Sequence, residues 1–133
     1  MKTDEEIKKI LKLKNIAVVG FSKNEENPSH YVPKYLISKG YNIIPVNPNV
    51  SELCGMKAYR RLSEVPDYID IVEIFRPSEE VLEITKKAIE KNVKVIWMQQ
   101  GIVNHKAAEL AEKNSIEVVM DKCMMTEHKR LVG

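Results

Sequence analysis

The stretch Ile16 to Ser22 reads Ile-Ala-Val-Val-Gly-Phe-Ser. A short β-branched run that ends in Gly is how a buried first strand hands the backbone to a phosphate-binding turn. A dinucleotide fold would continue Gly-x-Gly-x-x-Gly. Here the chain runs Gly20-Phe21-Ser22-Lys23-Asn24-Glu25-Glu26-Asn27-Pro28-Ser29, a long polar loop with a single glycine. The chain opens as a nucleotide-binding domain does, and departs from the NAD pattern at once.

Behind that opening, β-rich and helical patterns alternate to the end, with no repeat, linker or low-complexity tract. Strands are expected at Ile16–Gly20, Asn42–Val46, Ile69–Phe75, Lys94–Met98 and Glu117–Met120. Helices are expected at Asp4–Leu13 (capped by Thr3), Tyr31–Lys39, Ser78–Asn92 and His105–Asn114, with one short turn at Ser63–Val65. Ser78, followed by Glu79-Glu80 and the apolar series Val81, Leu82, Ile84, Ala88 and Ile89, reads as a capped amphipathic helix. Gly40 closes the helix before the second strand. Such alternation predicts an α/β fold, a Rossmann-like, doubly wound, parallel five-stranded sheet in the order 3-2-1-4-5 with helices on both faces. The 133 residues suit a single domain spanning 1–133.

That topology locates a site before any chemistry is considered. Ligands of doubly wound sheets lie beyond the carboxyl ends of the strands, where the order reverses, here between strands one and four. Four segments meet there: Gly20–Ser29, Val46–Asn49, Phe75–Pro77 and Gln99–Gly101. The first can set backbone N–H groups and the Ser22 hydroxyl around a phosphate, with Lys23 adding charge and Ser29 capping the next helix. A plain strand-to-helix loop is the alternative. Asn47 and Pro48 stand where an NAD domain carries Asp or Glu for the ribose, and no acid occurs between Ile43 and Val50. No Arg for an NADP phosphate occurs there either. Pro48 after Asn47 equally fits ordinary turn chemistry.

Phe75 and Arg76 pair a planar ring with a guanidinium, suited to an adenine face and a phosphate. The plainer arrangement puts Phe75 in the core and Arg76 on a carboxylate such as Glu73. Gln99 offers an amide and Gly101 a close backbone approach, or together they form only a turn. Cys123 past strand five is either a small buried apolar residue or a thiol facing a bound thiol.

Composition narrows the classes. A net charge of +2 gives no basic face for nucleic acid. No apolar run approaches the ~20 residues of a membrane span, and no signal-peptide core is visible. Cys54 and Cys123 form neither a metal spacing nor a disulfide framework, which leaves a reduced, cytoplasmic setting as the expectation. His30, His105 and His128 are scattered, so no catalytic set and no metal site is assigned.

Taken together, Val18–Ser22, Asn27–Ser29, Tyr35-Leu36 with Gly40-Tyr41, Pro45–Pro48, Asp70 through Arg76, Trp97 with Gln99 and Gly101, and Asp121–Cys123 resemble the small stand-alone CoA-binding proteins. These are similar to the CoA-binding domain of the succinyl-CoA synthetase α subunit. The resemblance runs from about Asn15 to the C-terminus, and departs at His30-Tyr31, where many relatives carry Tyr followed by a basic or small residue. It implies coenzyme A or acyl-CoA as ligand and cofactor. By position, Gly20, Ser22 and Lys23 would meet phosphates, Asn47 and Pro48 the nucleotide, Phe75 and Arg76 the adenine or pantetheine side, and Gln99 with Gly101 the opposite wall. The larger ligase also needs a phosphorylated His in a second domain and an ATP-grasp partner, which 133 residues cannot hold. The expectation is therefore a carrier, sensor or accessory module without catalysis of its own. The alternatives are an enzyme acting on CoA thioesters through Cys123 or His128, and a regulator responding to NAD(H) or an adenine nucleotide.

Overall fold

The computed structural model describes residues 2–133. Five strands form the sheet, each an apolar run buried on both faces: β1 (Asn15–Val19), β2 (Asn42–Val46), β5 (Ile71–Ile74), β6 (Val95–Met98) and β7 (Glu117–Val119). All neighbours pair in parallel, in the order β2-β1-β5-β6-β7. Two further pieces, β3 (Glu52–Leu53) and β4 (Met56–Lys57), make a separate antiparallel hairpin that the sequence analysis did not anticipate. Beyond the hairpin, Tyr59 bridges Val46 in parallel on the outer side of β2.

With the Tyr59 bridge counted as the third strand, the order runs 3-2-1-4-5-6, which contains the expected 3-2-1-4-5 pattern. The run expected to be third in chain order, Ile69–Phe75, supplies β5 and lies beside β1, registering Val18 with Glu73. The order therefore reverses between β1 and β5. The physical reason is burial: Ile71, Val72, Glu73 and Ile74 are all fully buried, which suits a strand at the centre of the sheet. A two-residue hairpin and a single bridge suffice for the outer place.

Strand periodicity sends alternate side chains to two cores. Ala17, Ile44, Val72, Ile96 and Val118 face α3 (Val81–Glu90) and α4 (His105–Lys113). Val18, Ile43, Ile71, Trp97 and Val119 face α1 (Asp4–Ile10), α2 (Pro28–Ser38) and α5 (Met124–Leu131). Helix α5, absent from the sequence-based assignment, has no side-chain cap to mark its start. Thr3 does cap α1, in a reciprocal box with Glu6. Among the described residues, no helix is long and apolar enough to cross a membrane.

Two expected caps are different in the structure. Helix α2 begins earlier than Tyr31, with Asn27 at the cap position and Pro28 first in the helix, so Ser29 lies inside the first turn. Ser78 starts a 3₁₀ turn (Ser78–Glu80) ahead of α3, and its Oγ accepts the Val103 N–H at 3.0 Å. That bond ties the loop after β6 to the start of α3, which is a different service from capping.

Candidate functional site

A cleft of about 570 Å³ opens at the carboxyl ends of β1, β2 and β5, at the order reversal. Gly20 forms the turn that leaves β1 and lines this cleft. The residue sits at φ +91°, and a Cβ there would lie 3.0 Å from the Phe75 carbonyl oxygen and 3.1 Å from Arg76 Cδ. Only glycine lets the β1 turn pass this close under the end of β5. The Gly20 N–H is held by the Val46 carbonyl at 3.0 Å, fixing the turn against β2 as well.

The loop that follows is tied inward. Ser22 donates its N–H to the Ser29 carbonyl, and its Oγ accepts the Asn24 N–H at 3.0 Å. His30 Nδ1 bonds the Ser22 carbonyl at 2.7 Å. The Ser29 carbonyl is free for this bond because Pro33, four residues on, has no N–H to donate within the helix. Ser29 itself faces the cleft from the first turn of α2, where backbone donors cannot be satisfied inside the helix.

Asn47 and Pro48 line the opposite wall. The Asn47 amide is already engaged: Nδ2 donates to the Phe21 carbonyl at 2.8 Å, and Oδ1 accepts the Asn49 N–H at 2.8 Å. It braces the two loops against each other. Phe75 is half-buried and lines the cleft. Arg76 also lines it, in a bidentate pair with Glu80 at 3.1 and 2.9 Å. That pair replaces the Arg76–Glu73 contact considered from sequence, because Glu73 is fully buried within the sheet. The guanidinium hydrogen bond holds the Glu80 carboxyl below its ordinary value.

Two expected residues stand elsewhere. Lys23 is exposed and lines a shallow depression with Glu25, Lys34 and Glu52. Gly101 adopts φ +87° and gives its N–H to Asp121 Oδ1 at 2.6 Å, serving the turn itself. Gln99 is buried and lines a second chamber of about 340 Å³, which shares Asn27, Ser29 and Phe75 with the first. His128 lies away from both, its Nδ1 2.8 Å from the Tyr35 hydroxyl and its ring edge-on to Tyr35 and Tyr41.

Sequence reasoning missed the strongest charges of the cleft. Arg60 and Arg61 follow the Tyr59 bridge, which carries them to the cleft rim, and Lys87 reaches it from α3. Neither arginine has an ion-pair partner among the described residues. The adjacent pair was visible as a dibasic step, but nothing local said that it would fold back onto β2. A site with unpaired guanidinium groups, a glycine turn and an open helix start is chemically equipped for phosphates.

The chain belongs to the CoA binding domain family, whose pattern matches residues 14–129. It is 42% identical over 124 residues to the uncharacterized protein YneT of Bacillus subtilis (strain 168), covering 92% of each chain. It is 28% identical over 129 residues to the ADP-forming acetate–CoA ligase of Methanocaldococcus jannaschii, covering 91% of this chain and only 18% of the ligase. Among solved structures, a hypothetical protein from Pyrococcus horikoshii OT3 superposes with a TM-score of 0.96 at 38% identity, over 99% of this chain and 94% of that one. The fold thus occurs both as a small chain and as one part of a much larger ligase.

Proposed function

We propose that this chain binds coenzyme A across the carboxyl edge of the sheet and acts as a carrier, sensor or accessory module, without self-contained catalysis. The carrying observation is the convergence, in a CoA binding domain, of the Gly20 turn with Arg60, Arg61, Arg76 and Lys87 around one cleft. In this reading the Gly20 and Ser22 turn and the first turn of α2 hold the diphosphate. The arginines and Lys87 meet the remaining phosphate, which distinguishes CoA from adenine nucleotides that lack it. Asn47 and Pro48 flank the nucleotide, Phe75 and Arg76 its exit, and Gln99 the far chamber. Lys23 and Gly101 lie outside the residues that line this cleft and the chamber beside it.

Catalysis by acyl phosphate would need a carrier group, and none of the three histidines lines the main cleft. Calorimetric titration tests the ligand. CoA should bind more tightly than NAD(H) or NADP(H), and equal or tighter binding of either dinucleotide would overturn this reading. Including NADP(H) matters, since Arg60 and Arg61 supply the guanidinium groups that the strand-two loop lacks.

A further inference from the structure

The second chamber continues the cleft past Phe75, and one extended ligand can occupy both, since Asn27, Ser29 and Phe75 border each. The two differ in charge. Charged side chains of both signs line the cleft, whereas no Asp, Glu, Lys, Arg or His lines the chamber. Pro28, Tyr31, Phe75 and Ile102 give the chamber apolar walls, and Tyr31 is 41% exposed at present. A ligand that leaves its phosphates in the cleft therefore meets a place for an uncharged end here.

One polar group of this chamber has an unmet demand. Gln99 is buried, and its backbone is fully used: the N–H meets the Ile74 carbonyl at 3.3 Å, and the carbonyl accepts the Ile102 N–H at 2.9 Å. The Met124 N–H bonds the side-chain amide at 2.9 Å. A backbone N–H can only donate, so the atom it meets is Oε1, and the NH2 group takes the other side. Oε1 thereby serves the start of α5, which receives no side-chain cap from Cys123. That duty accounts for the oxygen alone. A carboxylate would fill it better at the positive end of a helix, but would bring no donor. The NH2 group donates to no protein oxygen or nitrogen among the described residues. Nor is it sealed in, for the buried side-chain polar atoms without a partner belong to His30, Glu73 and Thr85. It opens toward the chamber that Gln99 lines.

We propose that the chamber takes the thioester end of an acyl-CoA with an uncharged acyl group, and that the Gln99 NH2 group donates to the thioester carbonyl. This rests on the CoA reading above. Free CoA brings only a thiol, whose sulfur is a weak acceptor and leaves the Gln99 donor poorly satisfied. A thioester carbonyl is a full acceptor, and the alkyl part beyond it meets Tyr31, Phe75 and Ile102. A dicarboxylic acyl group would place a carboxylate where no cation receives it. The chain thus distinguishes acylated from free CoA, and neutral acyl groups from anionic ones, with the thioester left intact.

Calorimetric titration of the natural chain tests this. Acetyl-CoA should bind about three- to tenfold tighter than S-ethyl-CoA, the thioether that lacks only the carbonyl oxygen, which is the worth of one hydrogen bond. Butyryl-CoA should bind at least about tenfold tighter than succinyl-CoA, which matches its chain length and adds a carboxylate. Equal affinities within either pair would overturn the proposal. Gln99→Glu keeps the acceptor for Met124 and removes the donor, so the preference for acetyl-CoA over S-ethyl-CoA should vanish while CoA still binds. A folded variant that retains the preference would overturn the role of Gln99. Both ligand comparisons use the natural chain, so they decide the matter even if this variant does not fold. CoA itself separates the failures. If CoA binds and the paired ligands do not differ, only this inference is lost; if no form of CoA binds, the CoA reading falls and this inference with it.

Discussion

Gly20 and Arg76 touch each other, and they carry opposite kinds of demand. Gly20 is where backbone geometry admits no side chain: an added Cβ meets the Phe75 carbonyl at 3.0 Å, in a conformation that L residues rarely adopt. Gly20→Ala should cost about 1–3 kcal/mol of stability from backbone strain and contact, and should abolish CoA binding. Urea unfolding and calorimetry read the two effects, and an unchanged midpoint would mean that the end of β5 yields freely. Arg76 is a matter of charge. Its pair with Glu80 is about half exposed on both sides and contributes little to stability. Arg76→Ala should therefore weaken CoA binding by about 1.5–3 kcal/mol, the worth of a charge-assisted hydrogen bond, with stability nearly unchanged. A normal dissociation constant in a folded variant would remove Arg76 from the ligand.

At the scale of elements, the helix α2 and the loop before it share one carbonyl. Pro33 would ordinarily be a fault inside a helix. Here its missing N–H releases the Ser29 carbonyl, which accepts the Ser22 N–H at 3.1 Å and holds the loop across the helix start. Pro33→Ala restores the helical donor and sets it in competition with Ser22. The expected outcome is unimpaired thermal stability with CoA affinity lower by about 0.5–1.5 kcal/mol, one hydrogen bond's net worth. Unchanged affinity would show that the bonds of Ser22 to Asn24 and His30 position the loop alone. Asn104 plays the complementary part at α4: its side chain caps Ala107 and also donates to the Ser78 carbonyl, so one residue fixes a helix start and a neighbouring turn.

For the whole molecule, two buried groups tilt the pH dependence of stability in opposite directions. Burial raises the Glu73 carboxyl far above its unfolded value of 4.5, so its contribution is fully present below pH 4.5 and is lost as pH rises through the folded value. Burial, with Lys39 and Lys14 nearby, lowers His128 below 6.5, so its contribution is present above pH 6.5 and is lost as pH falls. Glu73→Gln cannot titrate. Its melting temperature relative to the natural chain should therefore rise as pH increases from 4.5 toward 8, and a flat difference would mean that Glu73 is already ionised in the fold. The ligases that contain this domain are far larger, this chain matching 18% of the Methanocaldococcus jannaschii enzyme. Incubation with CoA, ATP, magnesium and short carboxylic acids should give no thioester above background. Turnover on the order of 1 per second would be enzyme-like and would refute the module reading.

The amino-acid sequence by itself determined what is local. Apolar runs of strand length, helix patterns between them and a single-glycine turn after β1 specify a doubly wound α/β fold, because each depends on neighbours a few residues away. The motifs at the strand ends also brought Gly20, Ser22, Asn47, Pro48, Phe75 and Arg76 to one cleft, since a parallel sheet places all its carboxyl ends on one edge. Only the tertiary structure decided the rest. Every main strand is apolar on both faces, so composition cannot say which lies beside β1; the shared burial of β5 and its pairing across the sheet decide it. The positions of Arg60 and Arg61 depend on one long-range bridge, and the seat of the Lys122–Cys123 segment depends on Trp97 binding a carbonyl 25 residues away. These are non-local contacts, and their energy comes from packing that exists only once the sheet has closed.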